Sequence, residues 1–287
     1  MTASSPLRAV ILGGVAWNTM VYRDSLPSGE PGTIFADRVH DTIGSSGAGK
    51  AMNLSTLGVD TTLWGLVGND GYAAWANEVL DQYGIEFLQQ VSAAGTERHV
   101  NFMDSAGDRL SVFVNPGPHE AEIDTSVVEP LLPNADLVSV VIKNYCRAFL
   151  PLVIASGAEL WVDIHDYDGV NPYHTEFIEA ADCLTMSTLL HDDWRGFLES
   201  RIEAGAKVCV ATHGVDGASA ISPEDGWAEI PAIPVDRVVD TNGAGDAFYA
   251  GFATTWITTG DLQASLEAGA LQASLAVQSP ELAPLPR

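Results

Sequence analysis

Short apolar runs separated by longer amphipathic stretches set the rhythm of this chain. Residues 8–12, 62–67, 137–142, 160–164, 183–186 and 208–211 are brief, rich in β-branched side chains and apolar at most positions. A parallel strand covered by helices on both faces reads this way, because it has no polar side to expose. Between these runs the apolar positions recur at 3.6-residue spacing, the pattern of crossover helices, and predict helices over 49–57, 72–83, 149–156, 246–258 and 261–277. Gly260 and Asp261 mark the break between the last two, as a C-cap followed by an N-cap. The predicted architecture is α/β, a doubly wound and mostly parallel sheet flanked by helices.

Two segments break the rhythm: residues 33–39, and the alternating stretches 99–103 and 110–114 joined across the turn 104–108. The second is a hairpin pattern. Such strands have no place inside a parallel sheet, so a small accessory β-sheet to one side is expected. It is either a lid over a site or a surface hairpin without a role. Neither an internal repeat nor a low-complexity linker is present, so the reading is one domain over residues 1–287, with lid strands inserted at about 15–45 and 97–116. The lid strands would leave an exposed edge, along which two copies could pair into a homodimer.

Composition narrows the partners. The formal charge is -25 over 287 residues, with lysine only at positions 50, 143 and 207, so the surface field repels polyanions and nucleic acid is not an expected partner. A nucleotide triphosphate is also an anion; its pocket must work locally, through backbone dipoles, a cation or a placed base such as Lys50. No apolar run approaches the ~18 residues of a membrane span, and the opening Met1-Thr2-Ala3-Ser4-Ser5-Pro6 lacks a secretory pattern, so a cytoplasmic protein without membrane contact is expected. Cys146, Cys183 and Cys209 sit in apolar contexts and read as buried thiols.

The chemistry concentrates at Asp240-Thr241-Asn242-Gly243-Ala244-Gly245-Asp246, a glycine-rich turn that runs directly into an apolar helical pattern. Gly243, Ala244 and Gly245 can turn their N–H groups toward an anion, with the helix dipole aimed at the same point. Asp246 on the first helical turn is placed to take a proton from a hydroxyl attacking a bound phosphate. The tetrapeptide Gly-Ala-Gly-Asp alone fits an ordinary capped turn better. The stretch Gly44-Ser45-Ser46-Gly47-Ala48-Gly49-Lys50-Ala51 nearly matches a phosphate-binding loop but offers Ala51 where a metal-binding hydroxyl is needed, and the preceding residues 39–43 make a poor buried strand.

The longer run from Asp240 to Phe248, followed by Ala250-Gly251-Phe252, closely resembles the signature of ribokinase-like (PfkB-type) carbohydrate kinases. The resemblance extends over most of the chain: Val10-Ile11-Leu12-Gly13-Gly14, the segment 49–58, Val67-Gly68-Asn69-Asp70-Gly71 and Thr212-His213-Gly214-Val215-Asp216-Gly217 follow in the family's order. It implies an ATP- and Mg2+-dependent kinase for a small sugar or nucleoside, with Asp246 as base and Gly243, Ala244 and Gly245 as anion hole. It further implies Thr212, Gly214 and Gly217 along the nucleotide, and Asn18, Gly49, Lys50 and Asn53 as a sugar-binding wall. Asp240 and Asn242 resemble a monovalent-cation site for potassium, although Asp240 also suits a turn cap and Thr212 a strand end.

Departures from the family pattern bear on metal and substrate. Asn18 stands where the family has a substrate-binding Asp, adding a donor and losing a charge. Ser187 and Leu190 replace an Asn and a Glu that helps hold magnesium, leaving the metal to phosphates and water or to a displaced carboxylate in His191-Asp192-Asp193. Asp163, in the cluster Asp163-Ile164-His165-Asp166-Tyr167-Asp168, is read as a strand end near the phosphates or the metal. Trp17, Phe102 and Phe113 are candidates to stack on a sugar or base, or simply to pack the lid. A non-catalytic sugar or nucleotide sensor with the same fold is the alternative that Leu190 motivates.

Overall fold

The computed structural model describes residues 5–105 and 107–284. The N-terminal residues 1–4 and Ala106 in the predicted hairpin turn therefore lie outside the described residues. In chain order the strands are β1 (Arg8–Leu12), β2 (Ala16–Tyr22), β3 (Arg38–Gly44), β4 (Asp60–Val67), β5 (Glu86–Val91), β6 (Glu97–Met103) and β7 (Arg109–Asn115), then β8 (Leu137–Val140), β9 (Leu160–Asp163), β10 (Cys183–Ser187), β11 (Val208–Thr212), β12 (Ala218–Ser222) and β13 (Gly226–Ile230). The α-helices are α1 (Ser46–Thr56), α2 (Gly71–Gln82), α3 (Leu150–Ser156), α4 (Thr175–Ala180), α5 (Trp194–Glu203), α6 (Ala244–Thr259) and α7 (Leu262–Ala276).

The main sheet runs β13-β12-β11-β10-β9-β8-β1-β4-β5. From β11 to β5 every pairing is parallel, and β12 and β13 extend the sheet antiparallel. Alternation within each strand splits the core into two layers. Ala9 and Ile11 face a layer closed by α1, α2, α6 and α7, whereas Val10 and Leu12 face the layer under α3, α4 and α5. Helix ends follow local chemistry: Asp70, Asp193 and Asp261 cap α2, α5 and α7 by accepting from Ala73, Gly196 and Ala264 amides, and Gly260 ends α6 at φ 67°.

The smaller sheet runs β3-β2-β6-β7, with β2 and β6 parallel and the outer pairs antiparallel. Its period-two pattern turns Asn18, Met20, Tyr22, His99, Asn101 and Met103 to one side and Thr19, Val21, Val100 and Phe102 to the other. The segment 33–39 is not a strand; only Arg38 and Val39 of it belong to β3, which continues to Gly44. The residues 39–43 that made a poor buried strand form an edge strand instead, where alternation rather than full burial is needed. Strands β5, β12 and β13 and helices α4 and α5 carry no clear periodic signal: β5 and β13 are half-exposed, and β12 is a short Ala/Ser run.

All three cysteines are buried and free. No helix among the described residues is long and apolar enough to cross a membrane. The main sheet is tied to α6 by Trp161, fully buried on β9, which meets Tyr249 edge-on at 5.7 Å and Phe252 at 6.4 Å. Trp161→Ala is expected to lower unfolding free energy by about 3–5 kcal/mol through loss of buried area and an unfilled cavity. Urea denaturation would show this as a lower midpoint at unchanged slope.

Candidate active site

Parallel strands deliver their C-terminal ends to one edge of the sheet, the edge where α/β folds collect ligands. Along that edge lie the Gly13-Gly14 turn after β1, Lys143 beyond β8, Asp163 and His165 at β9, Ser187 at β10 and Thr212 at β11. Helix α6 brings its N-terminus to the same place. Gly243 adopts φ 82°, which glycine tolerates, and the Ala244 amide bonds Thr241 O at 3.3 Å to close the turn. The next residue, Gly245, borders two cavities. An anion lodged there meets unpaired helix N–H groups and the positive dipole end.

One cavity, of about 610 Å³, is walled by apolar residues including Val215, Ile233, Val235, Phe248, Ala270 and Val277, with Thr212, Gly214 and Gly217 at its margin. The second, of about 110 Å³, is lined by Asp163, His165, Asp166, Thr185, Ser187 and Thr212. The two share Thr212, Gly245 and Phe248. An apolar slot continuous with a small polar cavity suits a ligand with a flat base at one end and phosphates at the other. The Thr185 hydroxyl is buried without a partner beside the small cavity, so a polar ligand atom there would satisfy it.

Asp246 sits on the first turn of α6, and its Oδ1 accepts from Lys50 Nζ at 2.6 Å. The same ammonium donates to Asp163 Oδ2 at 2.9 Å, and Lys50 is only 1% exposed. His165, held at φ 50°, places Nδ1 3.3 Å from Asp163 Oδ2, and its backbone amide donates to Asp163 Oδ1. Burial pushes the Lys50 pKa down, but the two carboxylates outweigh it and hold it above the ordinary lysine value. For Asp163, burial is outweighed by His165 and Lys50, leaving it well below the usual carboxylate range. For Asp246, burial, with Asp163 adding to it, prevails over Lys50 and raises the carboxyl. Gly49 permits the approach: a Cβ there would lie 2.3 Å from Asp246 Oδ2.

The sequence-predicted residues are thus partly gathered and partly dispersed. Lys50 does not stand on an open sugar wall; it is sealed between two carboxylates, bonding Asp163 Oδ2 and Asp246 Oδ1. Asn53 is fully buried, its amide donating to Gly49 O and Leu282 O, which makes it a brace for the C-terminal segment. Asn18 lies on the inner face of the small sheet with Oδ1 unpartnered, whereas Phe102 points from the opposite face. Asp240 accepts from Tyr22 Oη at 2.6 Å and from the Asn242 amide at 2.8 Å, and Asn242 Oδ1 accepts from Arg109 at 2.6 Å. These bonds engage the Asp240 carboxylate and the Asn242 side chain and N–H. They also fasten the small sheet to the anion loop, with Thr241 Oγ1 donating to Gly107 O at 3.0 Å.

Comparison with known proteins identifies the family and the fold. The pfkB family carbohydrate kinase profile matches residues 176–286. An ATP-dependent ribose-1-phosphate kinase of Halopiger xanaduensis is 30% identical over 270 residues, covering 91% of this chain and 88% of that protein. The chain belongs to the pfkB family of carbohydrate kinases. An acarbose 7(IV)-phosphotransferase of Actinoplanes sp. is 28% identical over 277 residues, covering 94% and 92%. A microbiome-derived acarbose kinase superposes with a TM-score of 0.87 at 27% identity, covering 96% of this chain and 94% of that one. An Arabidopsis thaliana ribokinase complexed with ribose and ATP shares the fold, with a TM-score of 0.79 at 23% identity over 97% and 95% of the two chains. As a pfkB kinase the protein is a phosphotransferase with an alcohol acceptor.

Among the described residues magnesium finds no built protein site. Ser187 Oγ accepts from the Leu189 amide, Leu190 is 58% exposed, and Asp193 is spent on capping α5. No group of three or more His, Cys, Asp or Glu that could hold a metal occurs among the described residues. The donor set therefore fits a metal carried by nucleotide phosphates and water, not one caged by side chains.

One charged cluster escaped sequence reasoning because Lys143 lies far along the chain from Glu97 and His99. Glu97, 5% exposed on β6, accepts from His99 Nε2 at 2.7 Å and from Lys143 Nζ at 2.6 Å. Burial works to raise the Glu97 carboxyl, but His99 and Lys143 hold it below its ordinary value. A carboxylate depressed in this way contributes stability above its unfolded pKa, near 4.3, and loses it as pH falls through the folded value. Lys143→Met leaves the buried carboxylate with His99 alone, so a loss of about 3–5 kcal/mol is expected, with acid unfolding beginning at higher pH. Urea melts repeated between neutral and acid pH would show both effects.

Proposed function

We propose that this kinase transfers the γ-phosphoryl group of ATP to a hydroxyl of a sugar, with Asp246 as the general base. The observation that carries the reading is Asp246 on the first turn of α6, one residue after Gly245, which borders both the apolar and the polar cavity. Adenine suits the apolar slot, and the phosphates would run past Thr212 and Gly214 toward Gly245. There the amides of Gly243 and Gly245 and the helix dipole would stabilise charge on the transferring group, the Ala244 amide being turned to Thr241 O. Asp246 Oδ2 would take the acceptor proton, and Asn18 would offer its unpartnered Oδ1 to an acceptor hydroxyl. ATP carries its own Mg2+, which would neutralise phosphate charge.

The lid contacts support exclusion of water during transfer, since Arg109 and Gly107 bridge the small sheet to Thr241 and Asn242. The arginines near the lid are otherwise engaged: Arg23 donates to Phe35 O, Arg38 stacks on Tyr22, Arg98 stacks on Tyr72, and Arg109 bonds Asn242. Each of these guanidinium groups is drawn to a different partner, which favours a neutral sugar over one that carries a phosphate. The exposed edge of β7 leaves room for a second copy to pair through the lid.

Asp246→Asn is expected to lower kcat by roughly 10²- to 10⁴-fold with nucleotide affinity unchanged, the range for loss of a general base. ADP release measured over a panel of neutral sugars, phosphosugars and nucleosides, with ligand binding followed by thermal shift, would check the reading. Near-normal turnover of the variant would remove Asp246 from the mechanism. Faster turnover of nucleosides would move the acceptor class, and binding without turnover would make the chain a sensor.

A further inference from the structure

Lys50 is a cation that the reaction as described does not use. It is 1% exposed and so cannot offer its ammonium to an acceptor without leaving its site. Its two strongest contacts are both carboxylates, at 2.6 and 2.9 Å, and its Nζ lies 5.1 Å from the Tyr249 ring centre. Two carboxylates gathered around one buried point repel each other, and without a counter-charge one of them would take up a proton. The charged groups acting on Asp246 are Lys50 from α1 and Asp163 and His165 from the end of β9, with the Tyr249 ring of α6 beside the Lys50 ammonium.

We propose that Lys50 is a positioning residue, whose ammonium keeps Asp246 ionised and fixed beside Asp163 so that its second oxygen, Oδ2, is free to meet the acceptor hydroxyl. The inference rests on Asp246 being the base. Three features converge on it: Oδ1 is the oxygen bound to Lys50, Oδ2 packs beside Gly49 with no Cβ to crowd it, and Asp163 is held in turn by the His165 amide. Lys50 thus belongs to the base and not to the sugar-binding wall. Its role is to hold charge balance in a site where one ammonium serves two acids.

The test is steady-state kinetics of Lys50→Met against pH. Expected is a fall in kcat of roughly 10²-fold or more with acceptor KM within about threefold, and an acid limb of kcat/KM moved upward by about one pH unit or more. The double variant Lys50→Met/Asp163→Asn, which removes the cation together with the competing acid, is expected to recover tenfold or more over Lys50→Met, with the acid limb moving back. It also stays readable where the single variant does not fold. A raised acceptor KM at unchanged kcat would make Lys50 an acceptor ligand and overturn the proposal, as would a double variant no more active than Lys50→Met, or than Asp246→Asn where the single variant does not fold. Normal turnover of Asp246→Asn would instead overturn the base assignment, so the two failures are distinguishable.

Discussion

The site turns on a single buried ammonium held between two carboxylates. Lys50 comes from α1, Asp163 from the end of β9 and Asp246 from the start of α6, so three elements distant in the chain converge on one nitrogen. Charges this far from water are tolerated only when paired with close geometry. That requirement constrains the surroundings. Gly49 must lack a side chain, α6 must begin where it does, and Trp161 must lock β9 against the face of α6.

Around this point the fold arranges its functions in the order of its strands. The Gly13-Gly14 turn and the small sheet lie at the β1 end, the polar cavity at β9 and β10, and the apolar slot beyond β11. An acceptor, a phosphoryl group and a nucleobase would then lie in sequence along one edge. The small sheet reaches across to the anion loop through Tyr22, Gly107 and Arg109, binding Asp240, Thr241 and Asn242. Those contacts tie the small sheet to the glycine-rich loop.

Much of the fold was legible because parallel strands are buried on both sides and short. The runs at 8–12 and 208–211 match β1 and β11 nearly residue for residue, and the Gly260-Asp261 break is where α6 ends and α7 begins. The half-exposed strands β5 and β13 were not legible, since a strand at the sheet margin carries neither a continuous apolar run nor a clean alternation. Residues 33–39 misled for a related reason: Ile34 and Phe35 are apolar yet 48% and 81% exposed, so hydrophobicity there does not report a strand.

By itself the sequence determined the family, the parallel core, the accessory sheet and the glycine-rich turn ending in Asp246, because each is written in contiguous residues whose local backbone chemistry leaves few options. The tertiary structure alone decided what the charged groups are for. Lys50 and Asn53 read from their motif as sugar contacts, yet one is consumed by two carboxylates and the other by the carbonyls of Gly49 and Leu282. The ion cluster of Glu97, His99 and Lys143 has no local signature. The reason is electrostatic: a charge acts on whatever lies within a few ångströms, and in a sheet whose neighbouring strands come from remote parts of the chain, sequence distance does not predict that neighbourhood.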